Sequence, residues 1–502
     1  MVSLSDYSKY RFFEIFPGAL VWTTYFLALL FSFLKPLWVI YFIIVFSFYW
    51  IVRINYLLIY MVYSWVKMRR AIKVDWLAKL EKIPGWRDYY HLIFMPTYKE
   101  GIEIIRTSFK FLAQSKYPLD RFIVILGGEE RDKENFLKNA QIIEKEFGEK
   151  FFKLLITVHP KDLPGEIPGK GSNLVWMAKE AKKFIDKLDI PYEKVIVSSF
   201  DIDSCVYPHY FSCLTYKYIT HFDPTHTSFQ PIALYHNNIW DTPAFLRVVA
   251  NCTTFWLLSE VARPERLFTF SSHSMSFKAL VDVGFWEKDI VTEDSRIFLQ
   301  CFIHYGGNYQ VEPIFVPISM DTVLADTFWK SLKNQYKQVR RWGWAIEHFP
   351  YMVWNFFIKP KKKIPFKKKF RYFFFFAEGE YTWPTAPVLL FVLGYLPLAV
   401  VNKAEKATVL AQNAPYVLQN IMTIGMIGLV FSAILSTIIL PPPPSKKKKI
   451  IYPLMIIQWI FLPLTMIVFG SIPALDAQTH LMLGKRLGFN VTEKIRKTKT
   501  TL

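Results

Sequence analysis

Two aspartates stand two residues apart in Asp201-Ile202-Asp203, directly after the β-branched run Lys194–Phe200. In an extended chain, residues i and i+2 point to the same side. Two carboxylates presented this way offer hard oxygen ligands to Mg²⁺ or Mn²⁺, which take one or two carboxylates and fill their shells with phosphate oxygens and water. The same pair also reads as a turn or capping pair, because Asp is common where strands end. A second acidic pair, Glu293-Asp294, precedes the helix-like stretch Arg296–His304. It reads either as acids in a capped first turn or as a general base presented at a strand–helix junction. Gln338, Arg341 and Trp342 fall at i, i+3 and i+4 on one helical face. An amide, a guanidinium and a flat indole on one stripe suit a diphosphate and a sugar ring. An interfacial helix with an aromatic belt has the same composition.

These groups need a scaffold, and the middle of the chain supplies one. Short β-branched runs recur at His91–Met95, Phe122–Leu126, Leu154–Val158 and Lys194–Phe200. Helix-length charged stretches separate them at Ile102–Gln114, Asp132–Phe147 and Ser172–Leu188. Strands alternating with helices at this pitch predict βαβ units and a mainly parallel sheet, with ligands beyond the carboxyl ends of the strands. The four cysteines, Cys205, Cys213, Cys252 and Cys301, all lie here without CxxC spacing, so this part reads as reduced and cytosolic.

Both ends are apolar. The chain of 502 residues is 52% hydrophobic and 18% aromatic, which excludes a disordered or low-complexity protein. Gly18–Leu34 and Leu37–Met61 predict a helical hairpin turning at Lys35-Pro36, with Lys67, Arg69, Arg70 and Lys73 marking its cytosolic exit. Trp383–Val401, Val417–Leu440 and Ile450–Ile472 predict three later spans, the last punctuated by Pro453, Pro463 and Pro473. No short apolar core followed by a small-residue cleavage site opens the sequence, so no cleaved signal peptide is expected. The net charge of +20 is concentrated in Lys359–Arg371, with eight basic residues and no acidic one, and in Lys446–Lys449. Basic runs beside spans follow the positive-inside rule and attract anionic headgroups at about 1 kcal/mol per charge. Membrane lipids are therefore the expected partner of this charge, and nucleic acid is not. Asp326–Phe357 mixes aromatic and basic residues as an interfacial helix does. Three later spans would leave the tail outside, yet Gly484–Leu502 holds six basic residues against one acidic, which favours inside.

Further short motifs fall in the same order along the chain. Met95-Pro96-Thr97-Tyr98-Lys99-Glu100 ends the first strand, and Gly169-Lys170-Gly171-Ser172-Asn173 opens a helix. Asp201/Asp203, Thr292-Glu293-Asp294 and Gln338/Arg341/Trp342 follow, with spans on both sides. This series resembles the membrane-embedded family 2 glycosyltransferases, the group of cellulose, chitin and hyaluronan synthases. The resemblance covers about Tyr89 to Pro350 in motifs and the flanking spans in architecture.

The resemblance implies an α/β fold of the GT-A type inserted between N- and C-terminal transmembrane helices. It implies that Pro96, Tyr98 and Glu100 line the nucleoside pocket, that Lys170 lies near the diphosphate, that Asp201 contacts the nucleotide and that Asp203 ligates Mg²⁺ or Mn²⁺, with Asp201 beside it. Asp294, paired with Glu293, would be the catalytic base, and Gln338, Arg341 and Trp342 would hold the diphosphate and the acceptor end. Gln230-Pro231 falls where the family has a Gln-Pro strand. Two departures stand out. The family's acidic reader of the base after the second strand is replaced by Leu126-Gly127-Gly128-Glu129-Glu130-Arg131, where Glu129 is the substitute. The acceptor-side loop Ser271-Ser272-His273-Ser274-Met275 lacks the family's small-Gly element and places His273 there.

The implied partners are a nucleotide-diphosphate sugar, a UDP-sugar first, and a glycan or lipid acceptor. One base and no protein nucleophile predict inversion by direct displacement, possible over many rounds with the polymer exported. Single transfer to a lipid, or a non-catalytic membrane scaffold or transporter, are the alternatives. The expected division is a transmembrane hairpin and its exit (1–75), a cytosolic catalytic domain (76–325), interfacial helices with the basic run (326–375), C-terminal spans (376–475) and a basic tail (476–502). The expected place is the plasma membrane, multi-pass, with the catalytic domain in the cytosol.

Overall fold

The computed structural model describes residues 4–443, 451–488 and 492–496. The Lys446–Lys449 run and the last six residues of the tail lie outside these.

The four expected strands form at Tyr90–Pro96 (β1), Phe122–Glu129 (β2), Lys153–His159 (β3) and Val195–Ser199 (β4). Four more join them: Cys205–Val206 (β5), Thr227–Tyr235 (β6), Ser274–Ser276 (β7) and Gln310–Met320 (β8). The sheet order is β3-β2-β1-β4-β7-β6-β8-β5. The β1–β2, β1–β4, β2–β3 and β6–β8 pairs are parallel, and β7 runs antiparallel between β4 and β6. β6 carries Pro231 and β8 carries Pro313 and Pro317, which remove ladder donors and disguise both as loops in the sequence. The pairing of β6 with β8 shifts register between Pro231 and Ala233.

Both faces of the sheet are covered, which is why its central strands are apolar without alternation. Leu92, Ile123 and Val197 pack against Leu174, Met177 and Phe298 on one side. Ile93, Val124 and Ile196 pack against Ile105, Phe109 and Phe136 on the other. Each such side chain contributes about 1.5–3 kcal/mol on burial. The parallel strands β1, β2 and β4 have their carboxyl ends at one edge of the sheet, where Pro96, Glu129 and Asp201 stand.

Five helical stretches are long and apolar enough to cross a membrane: Asp6–Leu34, Pro36–Ala71, Phe366–Val400, Val409–Ile439 and Ile451–Met482. The turn at Lys35 is as expected, but the elements run longer than the apolar segments alone. The first helix begins at Leu4 rather than near Gly18. The second runs past Met61 to Ala71, because Met61 and Met68 are buried in the core of the α/β domain. The third starts at Phe366, so Lys367–Lys369 and Arg371 form its first turns rather than a loop. The division expected at 375/376 therefore falls inside a helix, and that at 475/476 falls inside Ile472–Met482. Proline does break the last span: short helices at Ile451–Ile457 and Leu462–Met466 precede a wide turn at Ile467–Ser471.

The segment predicted as interfacial forms the helix Phe328–Gly343, a tight turn at Trp344–Glu347 and the short helix His348–Val353. Gly343 seats this element on the last span. A Cβ there would lie 3.0 Å from Ala474 Cα.

Candidate active site

Lys170 is the hub of the candidate site. Its ammonium lies 2.7 Å from Asp201 Oδ1, 2.7 Å and 3.0 Å from the two Asp294 oxygens, and 3.7 Å from Glu293 Oε1. Gly171 makes the approach possible, since its missing Cβ would sit 3.1 Å from the Glu287 carbonyl and 3.4 Å from Glu293 Cβ. Burial opposes the charge on Lys170, but the carboxylates of Asp201, Asp294 and Glu293 outweigh it and hold the ammonium well above its ordinary pKa. Burial also works against the Asp201 carboxylate, and Lys170 and Lys494 overcome it, leaving Asp201 well below the usual range. Glu293 is different. Its side chain is 1% exposed beside Asp294, and burial together with that like charge pushes it up to about 8. The rise favours the protonated form of Glu293 at neutral pH.

The Asp294 carboxylate bonds to Lys170 rather than to its own helix, so the capping geometry is not adopted by its side chain. Its backbone carbonyl accepts a 2.6 Å bond from Thr269 Oγ1. His273 is buried beside it, with Nδ1 on the Phe270 carbonyl at 3.0 Å and 3.8 Å from Asp294 Oδ1. Burial depresses His273, while Asp294 acts in the opposite sense. Ser271 donates to Asp201 Oδ2 at 2.8 Å, and Gln230 Oε1 accepts from the Phe270 amide at 2.7 Å, fixing this loop.

The nucleoside-pocket candidates gather at the ends of β1 and β2. The Tyr98 ring has the Arg131 guanidinium 4.5 Å from its centre, and Arg131 Nε donates to the buried Glu129 at 3.0 Å. Glu100 turns back on the strand end, accepting from Thr97 Oγ1 at 2.7 Å, and burial pushes it up to about 7. Gln338 is buried and accepts from Gln335 at 3.3 Å. Trp342 packs at 6.3 Å from Tyr235 at the end of β6, and the Arg341 charge reaches both Tyr235 and Glu293. Of this i, i+3, i+4 face, Arg341 is the residue whose charge is felt at the acidic pair.

Three residues of the site escaped the sequence reading. Asp321, at the end of β8, is buried next to Asp203: its amide donates 2.8 Å to Asp203 Oδ2. The tail then lies across both. Lys494 Nζ is 2.7 Å from Asp203 Oδ2, and Arg496 Nε donates to Asp321 at 2.8 Å and 3.0 Å. Glu493 pairs with Lys330 at 2.7 Å, and the Ile495 carbonyl accepts from Asn238 at 3.0 Å. The available signal was an acid at a strand end and a basic tail, which alone reads as a topology marker.

Among the described residues, no three His, Cys, Asp or Glu side chains stand close enough to enclose a metal ion. Carboxylate oxygens are the donor type that hard divalent cations take. Asp203 Oδ1 is buried with no hydrogen-bond partner among the described residues, while the Asp201 carboxylate, two residues earlier, is held by Lys170 and Ser271. Such a site needs phosphate oxygens and water to complete it.

No protein family and no curated protein matches the sequence. Among solved structures, the mannosyltransferase PcManGT from Pyrobaculum calidifontis in complex with GDP-Man and Mn²⁺ is similar at 13% identity, over 85% of this chain and 99% of that one, with a TM-score of 0.44. S. aureus TarS 1–349 with UDP is similar at 12% identity, over 70% and 91%, with a TM-score of 0.34. The same protein with UDP-GlcNAc gives 11% identity over 80% and 94%, with a TM-score of 0.33. Likenesses this distant carry no argument about function.

Proposed function

We propose that the chain is a membrane-embedded glycosyltransferase of the family 2 type, with a GT-A domain between spans, moving a sugar from a nucleotide-diphosphate sugar to a glycan acceptor. The observation that carries this reading is the single buried ammonium of Lys170 joining Asp201, at the end of β4, to the Glu293-Asp294 pair. A cation held between two acidic groups is placed to pass to a diphosphate, which would free Asp294.

In the proposed reaction the acceptor hydroxyl oxygen forms the new bond to the anomeric carbon, and the bond from that carbon to the diphosphate oxygen breaks. Asp294 takes the hydroxyl proton, and the nucleoside diphosphate leaves with the electron pair. Attack opposite the leaving group inverts the anomeric centre. Lys170, Arg341 and the tail cations Lys494 and Arg496 neutralise the departing charge. Asp203, with Asp201, would hold Mg²⁺ or Mn²⁺, which supplies Lewis-acid stabilisation of that same charge. Tyr98 with Glu100, Pro96 and Glu129 would take the nucleoside, and Gln338 and Trp342 the acceptor end, with His273 at the acceptor side.

The reading extends to a cytosolic catalytic domain at the plasma membrane and to repeated transfer with the product passed to the spans. The contact of the Gln338–Trp342 helix with the last span supports that path, since Arg340 and Tyr336 both reach Asp476, at 3.2 Å and 2.8 Å. A second reading, one transfer to a membrane lipid acceptor, has its own observation. Arg53 pairs with Glu378, Arg263 and Arg266 both pair with Glu260, and the buried Arg266 Nε has no hydrogen-bond partner among the described residues.

The test is release of nucleoside diphosphate from a panel of UDP- and GDP-sugars by the full chain in detergent, followed by sizing of the product. Divalent-dependent release with a polymeric product supports the first reading, and a singly glycosylated lipid the second. No release from any donor contradicts both.

A further inference from the structure

The helix Glu293–His304 begins without the cap that its sequence offers. Thr292 occupies the N-cap position, yet its hydroxyl bonds to none of the helix amides. It donates instead to Oε1 of Glu347. The other oxygen, Oε2, accepts the Trp344 indole N–H at 2.9 Å. A Thr side chain at this position ordinarily satisfies a first-turn amide and stabilises its helix, so the diversion forgoes a common gain.

The contacts continue around the acidic pair. His348 Nδ1 accepts from Arg296 Nε at 3.0 Å, and its Nε2 faces Ser295 Oγ at 2.8 Å. With Nδ1 accepting, the neutral ring donates from Nε2 to the serine. Arg296 Nη1 pairs with Glu287 at 2.8 Å, and its guanidinium lies 3.9 Å over the Tyr351 ring. Arg296 and His348 are both buried. Thr292, Ser295 and Arg296, which bracket Glu293 and Asp294, are thus all tied to the segment Trp344–His348. That segment follows Trp342 after the single residue Gly343.

We propose that Glu347 is a positioning residue. Through Thr292 it sets the rotation of the first turn that carries Asp294, and through Trp344 it references that turn to the Gln338–Trp342 face. The inference rests on the reading of Asp294 as the base. A carboxylate displaced by about 1 Å from its working position costs about a hundredfold in rate, whereas the donor contacts proposed for Asp201 and Asp203 lie outside the latch.

The experiment compares Glu347→Leu, Glu347→Gln and Thr292→Val in the full chain, with Asp294→Asn alongside. Leucine removes both contacts. Glutamine keeps both, its amide oxygen accepting from Trp344 and its NH₂ donating to the Thr292 hydroxyl. The expected result is a kcat about a hundredfold lower for Glu347→Leu, with donor KM and nucleotide affinity within about twofold of wild type. Glu347→Gln should recover most of that loss, and adding Thr292→Val to Glu347→Leu should cost little more, as coupled residues do. If Glu347→Leu does not fold, Thr292→Val carries the same expectation. A full kcat in Glu347→Leu or Thr292→Val beside an inactive Asp294→Asn overturns the latch and spares the base. Parallel losses of kcat, nucleotide affinity and melting temperature also overturn it, because they mark a structural role only. An active Asp294→Asn overturns the base reading itself, and the latch falls with it.

Discussion

Nζ of Lys494 lies 2.7 Å from Oδ2 of Asp203, the carboxylate whose other oxygen is buried without a partner. A side chain from the far end of the sequence thus supplies positive charge where a divalent cation is proposed to bind. The two compete for one carboxylate in the absence of nucleotide. Lys494→Ala should therefore tighten nucleotide-free Mn²⁺ binding by about tenfold, equivalent to about 1.4 kcal/mol of lost competition. Paramagnetic resonance of free Mn²⁺ measures this directly, and an unchanged affinity would remove Asp203 from the cation site.

Lys170 makes a different prediction. Its removal takes away the one ammonium that bridges Asp201, Asp294 and Glu293. Stripping one partner from a buried ion pair typically costs about 3–5 kcal/mol. Lys170→Ala should lower the melting temperature of the detergent-solubilised protein clearly, and adding Asp294→Asn should restore part of the loss by deleting one of the opposed charges. A Lys170→Ala melting temperature equal to wild type would deny the hub.

The raised Glu293 carboxyl gives a pH dependence with a definite sign. The folded state holds this proton more tightly than an ordinary carboxyl does, so its contribution to stability falls as pH rises from about 4.5 to about 8. Through the upper end of that window the site also gains a negative charge beside the proposed diphosphate. Affinity for a nucleoside diphosphate should decline as pH rises past about 8. Glu293→Gln should flatten that decline between pH values on either side, and calorimetry across the range checks it.

Much of this site was legible before any fold was known, for a physical reason. Asp201, Lys170 and Glu129 sit where apolar strands stop or helices start, and those ends are written locally as changes in hydropathy. The DxD spacing and the Gln338–Trp342 stripe are likewise local. What was not legible depends on distant contacts. β6 and β8 carry prolines that disguise them, and the three-residue β7 is too short for a pattern. Asp321 acquires meaning only because β8 ends beside Asp203. Lys494 and Arg496 look like any basic tail until Asp203 and Asp321 receive them. Glu293 and Asp294 do stand in the first turn of their helix, but the missing cap was not legible for the same reason, since the Thr292 hydroxyl bonds to Glu347, outside that helix.

The side of the membrane can be tested, but not with the native thiols. Cys205, Cys213 and Cys301 are buried and Cys252 is half-buried, so their silence toward a reagent would carry no information. Glu149 is exposed on the α/β domain. In intact cells, Glu149→Cys should resist a membrane-impermeant maleimide and react fully after lysis. Full labelling without lysis would put the domain outside.

The central claim is that Asp294 accepts the proton of the acceptor hydroxyl. The Asp294 side chain caps no amide of its helix, so Asp294→Asn removes the proposed proton acceptor at nearly constant size and shape. The measurement is donor affinity by calorimetry and sugar transfer by nucleoside-diphosphate release on one Asp294→Asn preparation. Retained donor binding with transfer reduced by about 10²–10⁴, the usual yield of general-base catalysis, is the predicted result. Retained binding with transfer within about threefold of wild type would contradict it, because general-base catalysis supplies far more than that.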